Sequence, residues 1–344
     1  MNRRLHQALF PADGSKAAAV AIIVTGVVGL ITILLAVFVF RDYGYVLFCA
    51  VPMLIGVGAP LFYGVGARRT FLQLFGVAVA TQFTLFAALL VMGIEGIVCL
   101  IMAAPLWMTI AVVGALVAYP IHRAMWRHVP EFGARGFPVV ALFMLASLPL
   151  FMGAEHAAAP AAPLLMVSTE MEIDAPPEVV WQYVPSFPDL PAPGWGDGGW
   201  LFKAGIARPI RAEIDGSGIG ATRECVFSTG RAIEPVTAWV PARLLEVDVI
   251  WTPPSMEESS PYPHLHPPHL EGYLTSAKAR FELVPLANGR TRIVGTSWYH
   301  NKMFPVAYWR LWSDASIKAV QVQVLSHIRA LSEGDPLQSY RDKK

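Results

Sequence analysis

His264, His266 and His269 stand close together in the segment PPSMEESSPYPHLHPPH, residues 253–269. Imidazoles at such spacing could converge on a zinc ion. Prolines hold the segment extended, however, and no cysteine or paired acid accompanies the histidines. Surface or loop-packing roles are therefore preferred, and no metal is assigned. Gly216-Ser217-Gly218-Ile219-Gly220 looks like a nucleotide loop, but a dinucleotide fingerprint follows a strand and opens a helix. This one leads into another strand and reads as a turn. Cys225 is the only thiol in the C-terminal half. It reads as a small buried hydrophobe, because a reactive thiol needs a cation beside it and Arg223 is near only in sequence. Arg223 and Glu224 form either a cavity ion pair or a surface pair across neighbouring strands, the surface being preferred. Trp298, Tyr299 and His300 meet Tyr308, Trp309 and Trp312 at a strand-to-helix junction. These rings could stack on a flat ligand or cap a core, and capping is preferred. Asp314 reads as a partner for the positive end of a helix dipole. Acid–base chemistry requires a polar group of shifted pKa within a cavity, for which Glu224, His269 and Tyr299 are the candidates. No nucleophile elbow, zincin, Walker A or paired-carboxylate motif occurs in a fitting context.

The elements that must position these residues divide sharply by composition. Of 344 residues 55% are hydrophobic and only 15% charged, against roughly 25% charged in ordinary soluble domains. Residues 1–154 hold nine Lys/Arg and four Asp/Glu, whereas residues 155–344 hold seventeen and twenty-one. The acidic second half argues against a nucleic-acid partner. Apolar runs predict five transmembrane helices, at 17–40, 45–67, 70–93, 96–121 and 136–154, each near the ~20 residues that a bilayer requires. The fifth is the shortest and carries Pro138 and Pro149. Alternate segments hold eight basic residues on one side and Arg41 alone on the other. The positive-inside rule then places the N-terminus in the cytoplasm and, after five crossings, the C-terminal half outside the inner membrane. Glu95, in a tight turn between spans, reads as an interfacial loop acid. Cys49 and Cys99 read as packing residues. The bundle reads as a platform or homo-oligomerisation surface, without paired intramembrane charges of a pump.

Beyond an Ala/Pro linker at 155–163 the period changes from helical to alternating. Leu164–Asp174 predicts a strand, and Pro176-Pro177-Glu178 opens a helix. Strands follow at Pro209–Asp215, Ala221–Ser228, Arg231–Val240, Leu244–Thr252, Gly272–Pro285 and Thr291–His300, the last two joined by the hairpin signal Asn288-Gly289. Phe304–Leu331 predicts a long amphipathic helix, with Trp309, Ile317, Val320, Val324, Ile328 and Leu331 on one face. The polar tail is 334–344.

The opening Thr169-Glu170-Met171-Glu172-Ile173-Asp174-Ala175-Pro176-Pro177-Glu178-Val179-Val180-Trp181, with the strand series and closing helix, resembles the SRPBCC superfamily of START-like, Bet v 1-like and polyketide cyclase/dehydrase proteins. The resemblance covers 164–333 and none of the membrane half. It implies an α+β helix-grip domain, an antiparallel seven-stranded sheet around the terminal helix with a hydrophobic cavity between them. It transfers fold and no chemistry. Leu245, Val247, Val249 and Trp251 share one strand face, as do Tyr273, Ala277, Ala279, Phe281 and Leu283. The expected ligand-binding set is Cys225, Val249, Trp251, His269, Tyr273, Phe281, Tyr299 and Trp309. Pro253–His269 is expected to form a lid, with His269 and Tyr273 at the mouth. A membrane-tethered pocket for a lipid or other hydrophobic small molecule follows. A cyclase- or dehydratase-type enzyme and a structural interaction module are the alternatives, and no cofactor is implied. A reporter fused at Lys344 should report the extracytoplasmic side; activity confined to the cytoplasm overturns this orientation.

Overall fold

The computed structural model describes residues 11, 13–128, 147–158, 161–196, 198–263 and 265–334. The chain divides into two compact units. The first is Met1–Pro160 with Ser260–Pro268 and Met303–Pro305; the second is Ala161–Ser259 with His269–Lys302 and Val306–Lys344.

In the first unit, four helices are long and apolar enough to cross a membrane: Gly14–Phe40, Val46–Tyr63, Phe71–Val91 and Ile97–Arg127. Asp13 opens α1 (Gly14–Leu34) by accepting the Lys16 N–H at 2.9 Å, satisfying a donor that the helix itself cannot. α2 (Val51–Tyr63) packs closely on α4 (Ile97–His128), because both carry glycine at the crossing. A Cβ on Gly56 would lie 2.4 Å from the Ala111 carbonyl oxygen, and one on Gly114 would lie 2.7 Å from that of Met53. Small residues give apolar helices this approach where no hydrophobic drive distinguishes neighbour from lipid. Thr70 and Gln73 form a reciprocal capping box at the start of α3 (Phe71–Val91). Glu95 does lie in the turn between α3 and α4, but it is buried there, with its carboxylate accepting the Tyr43 hydroxyl at 3.1 Å. Most of the fifth apolar run, like the polar tail after Gly334, falls outside the described residues. The last part of that run belongs to α5 (Leu148–Ala158), which continues into the stretch expected as linker. There Glu155 accepts the backbone N–H groups of Tyr45 and Val46 at 2.6 and 2.9 Å.

The second unit is a seven-stranded antiparallel sheet in the order β1-β7-β6-β5-β4-β3-β2. Its strands are β1 (Leu164–Ile173), β2 (Pro209–Asp215), β3 (Thr222–Phe227), β4 (Gly230–Val240), β5 (Leu244–Asp248), β6 (Leu274–Pro285) and β7 (Thr291–Asn301). Two short helices, α6 (Pro177–Trp181) and α7 (Gly199–Lys203), separate β1 from β2, and α8 (Val306–Glu333) closes the chain. This sheet and terminal helix match the arrangement that the resemblance implies. Asn288 and Gly289 lie in the β6–β7 turn with φ of 64° and 72°, a left-handed conformation that Asn and Gly tolerate, and the Leu286 N–H closes the turn on the Arg290 carbonyl at 2.8 Å. The core packs Val324, Leu325 and Ile328 of α8 against Leu245, Val247, Leu283 and Ile293 of the sheet, in agreement with the apolar face expected for the helix. Burial of each such side chain contributes roughly 1.5–3 kcal/mol. Asp314 corrects the reading of its role. It stands beyond the first turn of α8, where it accepts the Tyr299 hydroxyl and Arg310 Nε–H, the latter at 3.0 Å.

On the opposite face of β5, Glu246 accepts Lys278 Nζ–H at 2.9 Å and Arg280 Nε–H at 2.6 Å. Burial works to raise its pKa, but these two bonds outweigh it and hold the carboxyl below its ordinary value of 4.5. A depressed native pKa contributes stability above the unfolded value that is lost as pH falls through the native one. The full-length protein should therefore unfold at a higher temperature than Glu246→Gln at neutral pH. That gap should close as pH drops below about 4.5, as thermal unfolding across pH 7 to 3.5 will read.

Candidate functional site

Between the sheet and α8 lies a cavity of about 170 Å³. Large side chains fill one end of the helix–sheet interface, while small and polar ones face the other. Gly295 on β7 presents no side chain to Leu325 across the gap, where a Cβ would meet it at 3.6 Å. Ser316, Ile317, Val320 and Gln321 give the α8 wall, and Ala279 and Phe281 part of the β6 wall. The lining is mainly apolar, as suits an apolar ligand.

Two of its polar groups, Arg223 and Gln321, are held by several partners each. Arg223 on β3 sits directly across the ladder from Glu234 on β4, and its Nη1–H donates to Glu234 Oε2. Side-chain exposures of 2% and 8% make this a buried pair. Arg223 Nε–H also donates to the Pro185 carbonyl at 3.0 Å. The Phe187 and Phe281 rings stand 5.8 and 5.6 Å from the guanidinium, within cation–π range. Burial opposes the charge of Arg223, and Glu234 together with Cys225 more than offsets it. Gln321 is equally held: its amide donates to Ser297 Oγ at 2.9 Å and to the Val167 carbonyl at 3.2 Å, while its oxygen accepts the Thr169 hydroxyl at 2.7 Å. Cys225 lies beside the ion pair, and burial pushes its thiol up to about 12. It is a packing thiol rather than a nucleophile.

Of the eight expected ligand-binding residues, the cavity brings together Cys225, Val249 and Phe281. Trp251 is 63% exposed: β5 ends at Asp248, and the register on β4 slips by one residue between the Val236–Val247 pair and the Ile233–Trp251 bridge, which exchanges the faces. Tyr273 is turned away by a bulge between Ser276 and Lys278, since one extra residue exchanges the two faces of a strand. Leu274 and Ser276 line the cavity in its place. His269 is buried in a single 3-10 turn, and Trp309 within α8; neither is among the lining residues. Tyr299 is fully buried beside the cavity rather than in it, its hydroxyl within 2.9 Å of Ser313 Oγ and bonded to Asp314. Burial first, and then Asp314, push that hydroxyl above its ordinary value. Glu224 points to the other face, where it accepts Arg231 Nη1–H at 2.6 Å. Thus Arg223 and Glu224 take different partners on different faces, and neither alternative for them as a pair holds. None of the three acid–base candidates lines the cavity. Pro253, Pro254 and Ser255 of the expected lid do line it, whereas Ser260–Pro268 belongs to the first unit. His266 is exposed, and His264 lies outside the described residues.

Sequence reasoning missed Glu234, Ser297 and Gln321. Alternation carried the signal for the first: Arg223 and Cys225 share a face on β3, Ala232 and Glu234 share one on β4, and the turn between these strands sets them opposite.

No family model and no curated protein matches the chain. Solved structures similar to it include truncated norcoclaurine synthase from Thalictrum flavum, at 15% identity over 50% of this chain and 95% of that one, with a TM-score of 0.31. A protein from Arthrobacter aurescens shows 18% identity over 50% of this chain and 88% of its own, with a TM-score of 0.31. The Aha1 dimer from Colwellia psychrerythraea shows 18% identity over 50% and 98%, with a TM-score of 0.28.

In a full-length Cys49→Ala, Cys99→Ala background, Cys225 should react with a maleimide far more slowly than a free thiol. A rise from 9.0 to about 12 lowers the thiolate fraction about a thousandfold. Labelling at the rate of an exposed cysteine would contradict the burial described.

Proposed function

We propose that this is a multi-pass inner-membrane protein whose C-terminal unit binds a hydrophobic small molecule or lipid. The observation that carries this reading is the mainly apolar cavity of about 170 Å³ between the sheet and α8. A chain that enters such a space gains roughly 0.8 kcal/mol per buried CH₂, so binding needs no elaborate polar constellation. The four apolar helices support the membrane location; a cytoplasmic N-terminus with the second unit outside further requires the fifth crossing expected at 136–154. Attachment to membrane-spanning helices raises the effective concentration of a pocket toward ligands dissolved in the bilayer. A carrier, sensor or shield all use such binding. The cyclase- or dehydratase-type alternative is less well supported, because none of Glu224, His269 and Tyr299 lines the cavity.

Ala279 lines the cavity from β6, so Ala279→Trp should fill it with little change elsewhere. Native mass spectrometry of the wild-type protein in nanodiscs should show a non-protein adduct of lipid or metabolite mass. The variant should lose that adduct while it keeps its unfolding temperature. Absence of an adduct from the wild type, with no uptake of added decan-1-ol, overturns the proposal.

A further inference from the structure

We propose that the cavity selects uncharged amphiphiles, such as a long-chain alcohol, ester or ketone, and excludes the corresponding carboxylate anions. This inference rests on the ligand-binding reading above and specifies the class of ligand. Three lining residues besides Cys225 are ionisable: Arg223, Glu234 and Lys278. Lys278 directs its ammonium to the opposite face of the sheet, within 2.9 Å of Glu246 and 3.8 Å of Asp248. The charges left at the cavity wall are one buried guanidinium and one buried carboxylate, already bonded to each other. Their sum is zero.

An incoming carboxylate therefore meets a cation already neutralised by its partner and a second carboxylate beside it. Burial of an anion without its own counterion is strongly unfavourable, and a like charge adds to the cost. A neutral head group meets no such penalty. Arg223 commits one carboxylate oxygen of Glu234, and among the described residues no hydrogen bond reaches the other, Oε1. That oxygen can accept a ligand hydroxyl. Ser276, which also lines the cavity, offers a hydroxyl that can donate to a ligand carbonyl.

The test offers full-length protein in nanodiscs an equimolar mixture of decanoate, methyl decanoate and decan-1-ol at pH 8, with adducts counted by native mass spectrometry. Wild-type protein should take the ester and the alcohol over the anion by roughly tenfold or more. Glu234→Gln leaves Arg223 without its counterion, so the decanoate share should rise at least about tenfold as the ligand carboxylate takes that place. Removal of both charges, in Arg223→Met with Glu234→Gln, should retain the neutral ligands and exclude the anion. This double variant, with the wild type, decides the matter if Glu234→Gln alone fails to fold. Equal uptake of decanoate and its methyl ester by the wild type overturns the charge selection while ligand binding stands. Uptake of none of the three overturns the binding reading itself.

Discussion

The C-terminal unit depends on a mismatch along one helix. α8 must cover the apolar face of a seven-stranded sheet, yet its side chains are not uniformly large. Val324, Leu325 and Ile328 reach the sheet core, while about two turns before Val324 the short Ser316 lines the cavity. Small residues cannot span a gap that leucines elsewhere hold open. Dispersion attraction forgone at one end is offset by dense packing at the other, so the interface stays fixed although it is not filled. Gly295 on the facing strand and the paired prolines at 253–254 add to the open side.

The polar groups around that space are arranged to remain where they are. Gln321 uses its amide and its oxygen to tie α8 to β1 and β7 at once. Buried polar atoms are tolerated when they are partnered, and this side chain also fixes the helix over the sheet. Tyr299, Ser313 and Asp314 make a second tie between β7 and α8. The cavity walls are thus pinned through hydrogen bonds at positions where van der Waals packing is thin.

Much of this fold is legible in the amino-acid sequence. Strand alternation and the Asn288-Gly289 signal place β2 at its observed bounds and β6 and β7 within two residues of theirs, because turn chemistry and period 2 are local properties. The same period misassigns Tyr273, since a bulge is a departure from the ladder that only the paired strand determines. Trp251 fails for a related reason: alternation extends its strand on paper, although the register on β4 slips by one residue after Val247. Tyr299 and Trp309 are the buried aromatics of the strand-to-helix junction, so their core-capping reading holds and their place among the ligand contacts does not. The ion pair is half visible. Arg223 stands out in the sequence, but neighbouring residues on a strand face opposite ways, so Glu224 is never available to share its face. Glu234 emerges only through the register of β3 on β4.

That pair is the feature hardest to account for by stability alone. Two desolvated charges recover their hydration only in part from mutual attraction, and apolar side chains of equal volume often serve a core as well or better. Had β3 and β4 merely needed to close the sheet, residues like the flanking Cys225, Ala232 and Val236 would have sufficed at 223 and 234 as well. Placed beside a space that is otherwise mainly hydrocarbon, the pair supplies what a filled core would not need. It is a fixed dipole with no net charge, oriented by Pro185 and enclosed by Phe187 and Phe281. Such a dipole can orient a polar head group while it gives no long-range attraction to ions. The chemistry of the pocket then follows from two choices, the small residues that create the space and the neutral pair that marks one wall of it.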